Sequence, residues 1–244
     1  MPARPTVMTR LALGALAAAQ VAYGLAPVRS PRMTRGVVAL MLAVSAVEAV
    51  QARGWRRGAL PAALGGALGF ASEVAGVATG RPFGAYSYTD RLGPRVAGVP
   101  LLAGAAWAMM ARPAWVTAGW LTRSRVRRVP VAAAALTAWD LMLDPRMVRE
   151  AYWVWPQGGR YEGVPASNFA GWFVVGLGVF AGFALLDGAP AGAADDGALA
   201  LYAWIAAGEA FANAALWEQP VTAAVGGTAM GAFAAPALAR RVRA

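Results

Sequence analysis

Lysine, histidine and cysteine occur nowhere in the 244 residues. Each absence removes a class of chemistry. Without histidine, neither the histidine-rich iron sites of membrane desaturases and hydroxylases nor a haem on an axial imidazole can be built. Without cysteine there is no iron–sulfur cluster, thiol nucleophile or disulfide, and composition is silent on redox compartment. Without lysine no Schiff base forms, which excludes a retinal pigment despite a comparable helix number. A serine nucleophile would lack its usual base. No glycine-rich phosphate loop follows a strand, so nucleotide and flavin cofactors have no support. Charge is scarce too: 14% of residues are charged and 59% hydrophobic, with mean hydropathy +0.49. That balance places the chain in the membrane class.

The apolar runs are long enough to span a bilayer, which needs about 20 residues. Candidate spans are Arg10–Val28, Gly36–Ala52, Gly58–Gly80, Val96–Leu121, Val129–Pro145, Phe169–Leu186, Leu199–Trp217 and Val221–Leu238. Arg112 and Pro113 interrupt the fourth, where a kink is expected. Small residues in Ala62–Gly69 and Gly176–Gly182 suit close helix packing, and the acidic stretch Asp187–Gly197 reads as a plain connecting loop. The fold expected is all-α: a polytopic integral membrane helical bundle of about seven or eight transmembrane helices, forming one domain over residues 1–244.

All 22 basic residues are arginine, giving a net charge of +10. They fall mostly in short gaps between apolar runs, the pattern of a membrane protein and not of a nucleic-acid binder. With eight spans, the clusters Arg53/Arg56/Arg57, Arg123/Arg125/Arg127/Arg128 and Arg240/Arg241/Arg243 share one side with Arg4. The positive-inside rule makes that side cytoplasmic, in a multi-pass protein of the cell membrane surrounded by membrane lipids.

Chemistry is then sought among the acids. Asp140 and Asp144, four residues apart within the fifth span, share one helix face. A charged residue at the centre of a spanning helix costs roughly 2.5–3.5 kcal/mol on insertion scales, so intramembrane acids suggest function. Close together in low dielectric the two carboxyls cannot easily both ionise, which leaves a protonated acid beside a carboxylate. That arrangement can protonate a weak base and later take a proton back. Capping, or pairing with Arg146 or Arg149, is the structural alternative, and it applies most to Asp144 beside Pro145. Asp140 is therefore the preferred half of the pair. Glu73 is another acid in apolar surroundings. Glu48 and Glu209 also lie in apolar spans; any of these acids can pair with an arginine, and for Glu48 that is the simpler reading.

Two connectors stand out: Phe83–Trp107 (FGAYSYTDRLGPRVAGVPLLAGAAW) and Asp144–Trp172, which includes YWVWPQGGRYEGVPASNFAGW. Alternating spans put both on the same side. Each carries Gly-Val-Pro before a new apolar run, with tyrosines and an acid upstream: Tyr86, Tyr88 and Asp90 in one, Tyr161 and Glu162 in the other. This hints at a duplicated half. Asp90 beside Arg91 reads either as a surface pair or as part of a pocket mouth. Trp107, Trp153, Trp155, Tyr152, Phe169 and Trp172 suit an interfacial aromatic belt, and equally the wall of a site for a polyene or a carbocation. Asn168 can hold a water or cap the sixth span.

These connectors resemble the signature of the carotenoid biosynthesis membrane protein family, which includes carotenoid hydratases. The residues concerned are FGxYxYTDxLGPxxxGVPLLxxxAW at Phe83–Trp107, WDLMLDPxMV from Trp139, WxW at Trp153–Trp155 and YxGVPxxNFxGW at Tyr161–Trp172. The match covers the middle third of the chain. The resemblance implies a cofactor-independent hydratase, a hydro-lyase that adds water to the terminal isoprenoid double bond of an acyclic carotenoid end group to give a tertiary alcohol. It also implies a lipid-soluble carotenoid substrate and a place among other carotenoid pathway enzymes. On this reading Asp140 or Asp144 donates the proton. The other aspartate, with Glu73 or Asp90, stabilises charge and accepts the proton of water. Tyr86, Tyr88, Trp107, Trp153, Trp155, Tyr161, Asn168, Phe169 and Trp172 shape the substrate pocket. Two alternatives remain open: a carotene cyclase using the same protonation, and a carotenoid-binding membrane protein without catalysis.

Overall fold

The computed structural model describes residues 5–244; Arg4 lies outside them. The chain is an all-α membrane bundle. Among the described residues eight α-helical segments follow in order: α1 (Val7–Leu25), α2 (Pro31–Gly54), α3 (Leu60–Thr79), α4 (Leu101–Leu121), α5 (Arg125–Arg149), α6 (Ala166–Leu186), α7 (Asp196–Ala215) and α8 (Pro220–Val242). Their starts follow local chemistry. The hydroxyls of Ser30 and Ser124 accept from the backbone N–H of Met33 and Arg127 at 3.3 and 3.4 Å, satisfying donors that the first turn leaves free. Gly54, with φ of 71°, breaks α2, and one π turn (Trp55–Ala59) leads into α3.

Four helical stretches are long and apolar enough to cross a membrane: Val7–Leu25, Pro31–Thr79 through the π turn, Ala166–Leu186 and Pro220–Val242. Their outward faces carry bare apolar side chains such as Leu68, Val174, Leu185 and Val225. Buried charges lie within α2 and α3 (Glu48, Glu73) and within the fourth and fifth helices (Arg112, Arg128, Asp140, Asp144, Arg146). Within α4, the run Met109–Ala118 is wholly buried, because α2, α3, α5, α7 and α8 all pack on it. Small residues permit that closeness. A Cβ on Gly66 of α3 would lie 2.9 Å from the Gly104 carbonyl of α4, and one on Gly176 of α6 would lie 3.3 Å from Cα of Ala133 of α5.

The structure corrects several boundaries. The helix of the fourth span starts at Leu101, not Val96, and runs continuously through Pro113. Residues 95–100 form a tight hairpin instead, strand β2 (Arg95–Val96) against β3 (Val99–Pro100). The fifth helix passes Pro145 and continues one more turn to Arg149, so Asp144 is interior and 2% exposed. Nor is Asp187–Gly197 a plain loop: it folds a 3-10 turn at Ala193–Asp195 and buries Asp187 and Asp195.

At one end of the bundle the three arginine clusters meet. Arg53 bonds the Pro190 carbonyl, Arg125 that of Gly188, Arg128 that of Ala189, and Arg240 those of Trp120 and Leu121. The two aromatic connectors join at the site end. Strand β1 (Ser87–Tyr88) pairs antiparallel with β4 (Trp153–Val154), placing Tyr88 opposite Trp153. Thr89 adds hydrogen bonds to the carbonyls of Ala151 and Tyr152 (2.8 and 2.9 Å). The repeated Gly-Val-Pro segments adopt one and the same turn. Ala97–Gly98 have φ of 51° and 81°, Glu162–Gly163 have 50° and 83°, and both turns close a pairing, Val96 with Val99 and Tyr161 with Val164. Two successive positive φ values define the tight hairpin turn that glycine favours. The valine that follows is fully buried in both copies, and a new helix starts directly after the proline.

Candidate active site

Asp144 and the acid of α3 meet at one small cavity beneath the paired connectors, with Asp140 one turn behind. The cavity encloses about 70 Å³. With a water's share of liquid volume near 30 Å³, that is room for about two waters, not for a polyene. Asp144, Leu143 and Met147 of α5, Asn168 and Trp172 of α6, Glu73 of α3 and Trp107 of α4 contribute to its wall, closed above by Tyr86, Tyr88, Trp153 and Trp155.

Asn168, in the first turn of α6, donates its side-chain amide to both aspartates: to Asp140 Oδ2 at 2.9 Å and to Asp144 Oδ2 at close range. One –NH2 group thus holds two carboxyls that a single α-helical turn already stacks. The second oxygen of Asp140, Oδ1, is buried without a partner. Among the described residues neither aspartate pairs with arginine. Arg146 turns instead to Glu150, Glu209 and Tyr23, and Arg149 to Glu218. Asp144 lines the cavity, whereas Asp140 sits one turn away and is fully buried. That is the reverse of the ranking drawn from the proximity of Pro145. The reason is the continuation of α5 past that proline.

Glu73 is the second centre. Trp107 Nε1 donates to its Oε1 at 3.1 Å, and the hydroxyls of Tyr86 and Tyr88 both donate to Oε2, Tyr88 at 2.9 Å. Three donors from two other segments orient this carboxyl towards the cavity. The aromatic wall is ordered by contact: Trp107 stacks on Trp172 at 3.9 Å and 8°, Trp139 meets Trp172 edge-on, and Tyr86 stacks on Trp155 at 5.5 Å. Trp155 Nε1 donates to the Phe83 carbonyl at 3.1 Å, tying the first connector to the second.

Three candidates stand elsewhere. Asp90 is at the surface, its side chain 88% exposed and paired with Arg95, not Arg91. The β2–β3 hairpin swings Arg95 back over it, and Asp90 does not line the cavity. Tyr161 donates to the Leu141 carbonyl at 2.8 Å, and burial pushes its hydroxyl up to about 12. Phe169 packs edge-on against Tyr161 at 5.7 Å. These two rings support the turn of α5 that carries the aspartates without lining the cavity. Thr34 and Val38 of α2, with Leu102 and Ala103 of α4, do line it. Thr34 and Val38 lie outside the connectors, and nothing in the sequence around them distinguishes them from other residues of an apolar helix.

Gly69 is required by this wall: a Cβ there would overlap the Trp107 ring. Gly69→Ala is expected to destabilise the protein by about 1–3 kcal/mol, the usual cost of overpacking, and to break the Trp107–Glu73 bond. Thermal unfolding and tryptophan fluorescence would register the two effects.

The carotenoid biosynthesis protein family matches residues 34–233, which include every residue of the cavity. The chain belongs to that family. Among curated proteins, bisanhydrobacterioruberin hydratase of Haloarcula japonica is 31% identical over 109 residues, 43% of this chain. That alignment spans 37% of the relative's own length. No solved structure matches.

Proposed function

We propose that this family member is a carotenoid hydratase, a hydro-lyase of the cell membrane that adds water to the terminal isoprenoid double bond of an acyclic carotenoid end group. The observation that carries this reading is the pair of buried carboxyls bridged by Asn168, with Asp144 on the wall of the aromatic cavity.

The chemistry follows from the positions. Asp144, which borders the cavity, gives its proton to the less substituted carbon of the trisubstituted alkene, and the π pair becomes the new C–H bond. The resulting tertiary cation lies beside the faces of Trp107 and Trp172 and near the Glu73 carboxyl, where ring quadrupoles and negative charge favour it. Water adds its lone pair to the cation. The proton it sheds returns to the carboxyl pair, so acid and base are restored and no electron has moved. Asp140 acts through Asp144: the shared amide and shared proton keep one acid protonated beside one carboxylate. The polyene tail leaves the small cavity for the lipid-facing side of the bundle.

Expression in a lycopene-making host, followed by product mass analysis, tests this. Hydration adds the mass of water and yields a tertiary alcohol. A product of unchanged mass with a ring would show that an internal alkene captures the cation, making the enzyme a cyclase. Unaltered lycopene held by the purified protein would show a binding protein.

A further inference from the structure

A second cavity, of about 300 Å³, opens between α1 and α7 and has no part in the chemistry above. Its mouth is apolar and bare: Val21, Leu25 and Phe211 are 48%, 64% and 64% exposed, as suits a lipid-facing opening. Its inner end is polar. There the Arg146 guanidinium lies 3.9 Å from the Trp217 ring centre and 4.9 Å from that of Tyr23. Nε of Arg146 donates to Glu150 at 3.2 Å and Nη2 to the Tyr23 hydroxyl. Nη1 makes no hydrogen bond among the described residues. The Glu209 carboxyl lies 3.8 Å from it, too far for a direct bond. The Glu209 side chain is 22% exposed although it sits on the inner part of the wall, because it borders the cavity.

These observations define a ligand. Arg29 and Arg146 stand against Glu150 and Glu209 here, so the charges balance and an ionic head group gains little. A neutral hydroxyl fits the gap: it accepts from Nη1 of Arg146 and donates to Glu209. The apolar walls and the Trp204 ring suit a hydrocarbon tail. The two cavities also share a wall, since Tyr23 of this one hydrogen-bonds Thr34 of the other at 2.8 Å. We infer that the second cavity binds the hydroxylated end of a carotenoid, and so holds the alcohol after it forms. The identity of that alcohol as product rests on the hydratase reading; the recognition of a hydroxyl does not.

The test is a binding titration of the purified full chain in detergent, with monohydrated lycopene and lycopene as probes and the visible circular dichroism of the polyene as readout. Monohydrated lycopene should bind about tenfold more tightly than lycopene, in line with hydrogen bonds to charged groups. Gly208 lines the cavity, and a Cβ there meets nothing within 4 Å, so Gly208→Leu fills the space without disturbing the helix. It should abolish the preference while leaving single-turnover hydration intact, and Glu209→Gln should reduce the preference. Equal binding of the two probes overturns the inference, as does a preference that survives Gly208→Leu. Should Gly208→Leu fail to fold, a preference unchanged in Glu209→Gln overturns it equally. A hydroxyl preference in a protein that does not hydrate would retain this site and reject the proposed reaction.

Discussion

Asp144→Asn is expected to lower the rate of hydration by about 10²–10⁴-fold, the usual contribution of a positioned general acid, while the carotenoid still binds. Asparagine keeps the size and one acceptor oxygen of the aspartate. It can therefore still be held by Asn168, which donates to both carboxyls. What it cannot do is release a proton to carbon. Asp140→Asn should cost less, because Asp140 does not border the cavity. Its signature is a change in the shape of the pH–rate profile, since two coupled sites become one. Single-turnover kinetics across pH, with bound pigment measured in parallel, separate the variants. Full activity in both would remove the pair from the mechanism.

Arg112→Leu is expected to destabilise the bundle by about 3–5 kcal/mol, the range for breaking a buried ion pair from one side. Arg112 of α4 is 1% exposed, and its Nε and Nη2 donate to Glu48 of α2 at 2.5 and 3.0 Å. Nη2 also reaches Asp195, in the α6–α7 connector, at 2.9 Å. Burial opposes ionisation of Asp195, but hydrogen bonds from Arg53 and the charge of Arg112 hold its carboxyl below the ordinary range. One guanidinium thus pins two helices and a connector at the end of the bundle remote from the aromatic connectors. Its removal strands Glu48, whereas Asp195 keeps Arg53. The double variant Arg112→Leu/Glu48→Leu should recover most of the loss, because deleting both charges of a buried pair is often close to neutral. Thermal unfolding in detergent would show both effects. A single variant as stable as the parent would mean that water reaches Glu48.

Much of this could be read in the chain. Hydrophobic runs located the helices to within a few residues, because in lipid only a closed backbone pattern is stable. The repeated Gly-Val-Pro marked two identical turns, since a pair of positive φ values restricts residue choice. The i,i+4 spacing put Asp140 and Asp144 on one face. Glu48 was read as an arginine partner, and Arg112 is that partner. Arg112 itself was read as an interruption of its span, because which buried charge it meets depends on a helix 64 residues away.

Local periodicity and residue chemistry thus settled the helical class, the shared end of the two connectors and the acids worth examining. Contacts between distant segments settled the rest. Asn168 clasps the aspartates because α6 packs along α5. Glu73 meets Tyr86, Tyr88 and Trp107 because the first connector folds back over α3 and α4. Asp90 stands at the surface, away from the cavity, where a hairpin delivers Arg95 to it. Asp144 faces the cavity because α5 continues past Pro145, held by the helices around it. Residue spacing shows which side chains share one helix face; packing between segments decides what that face meets.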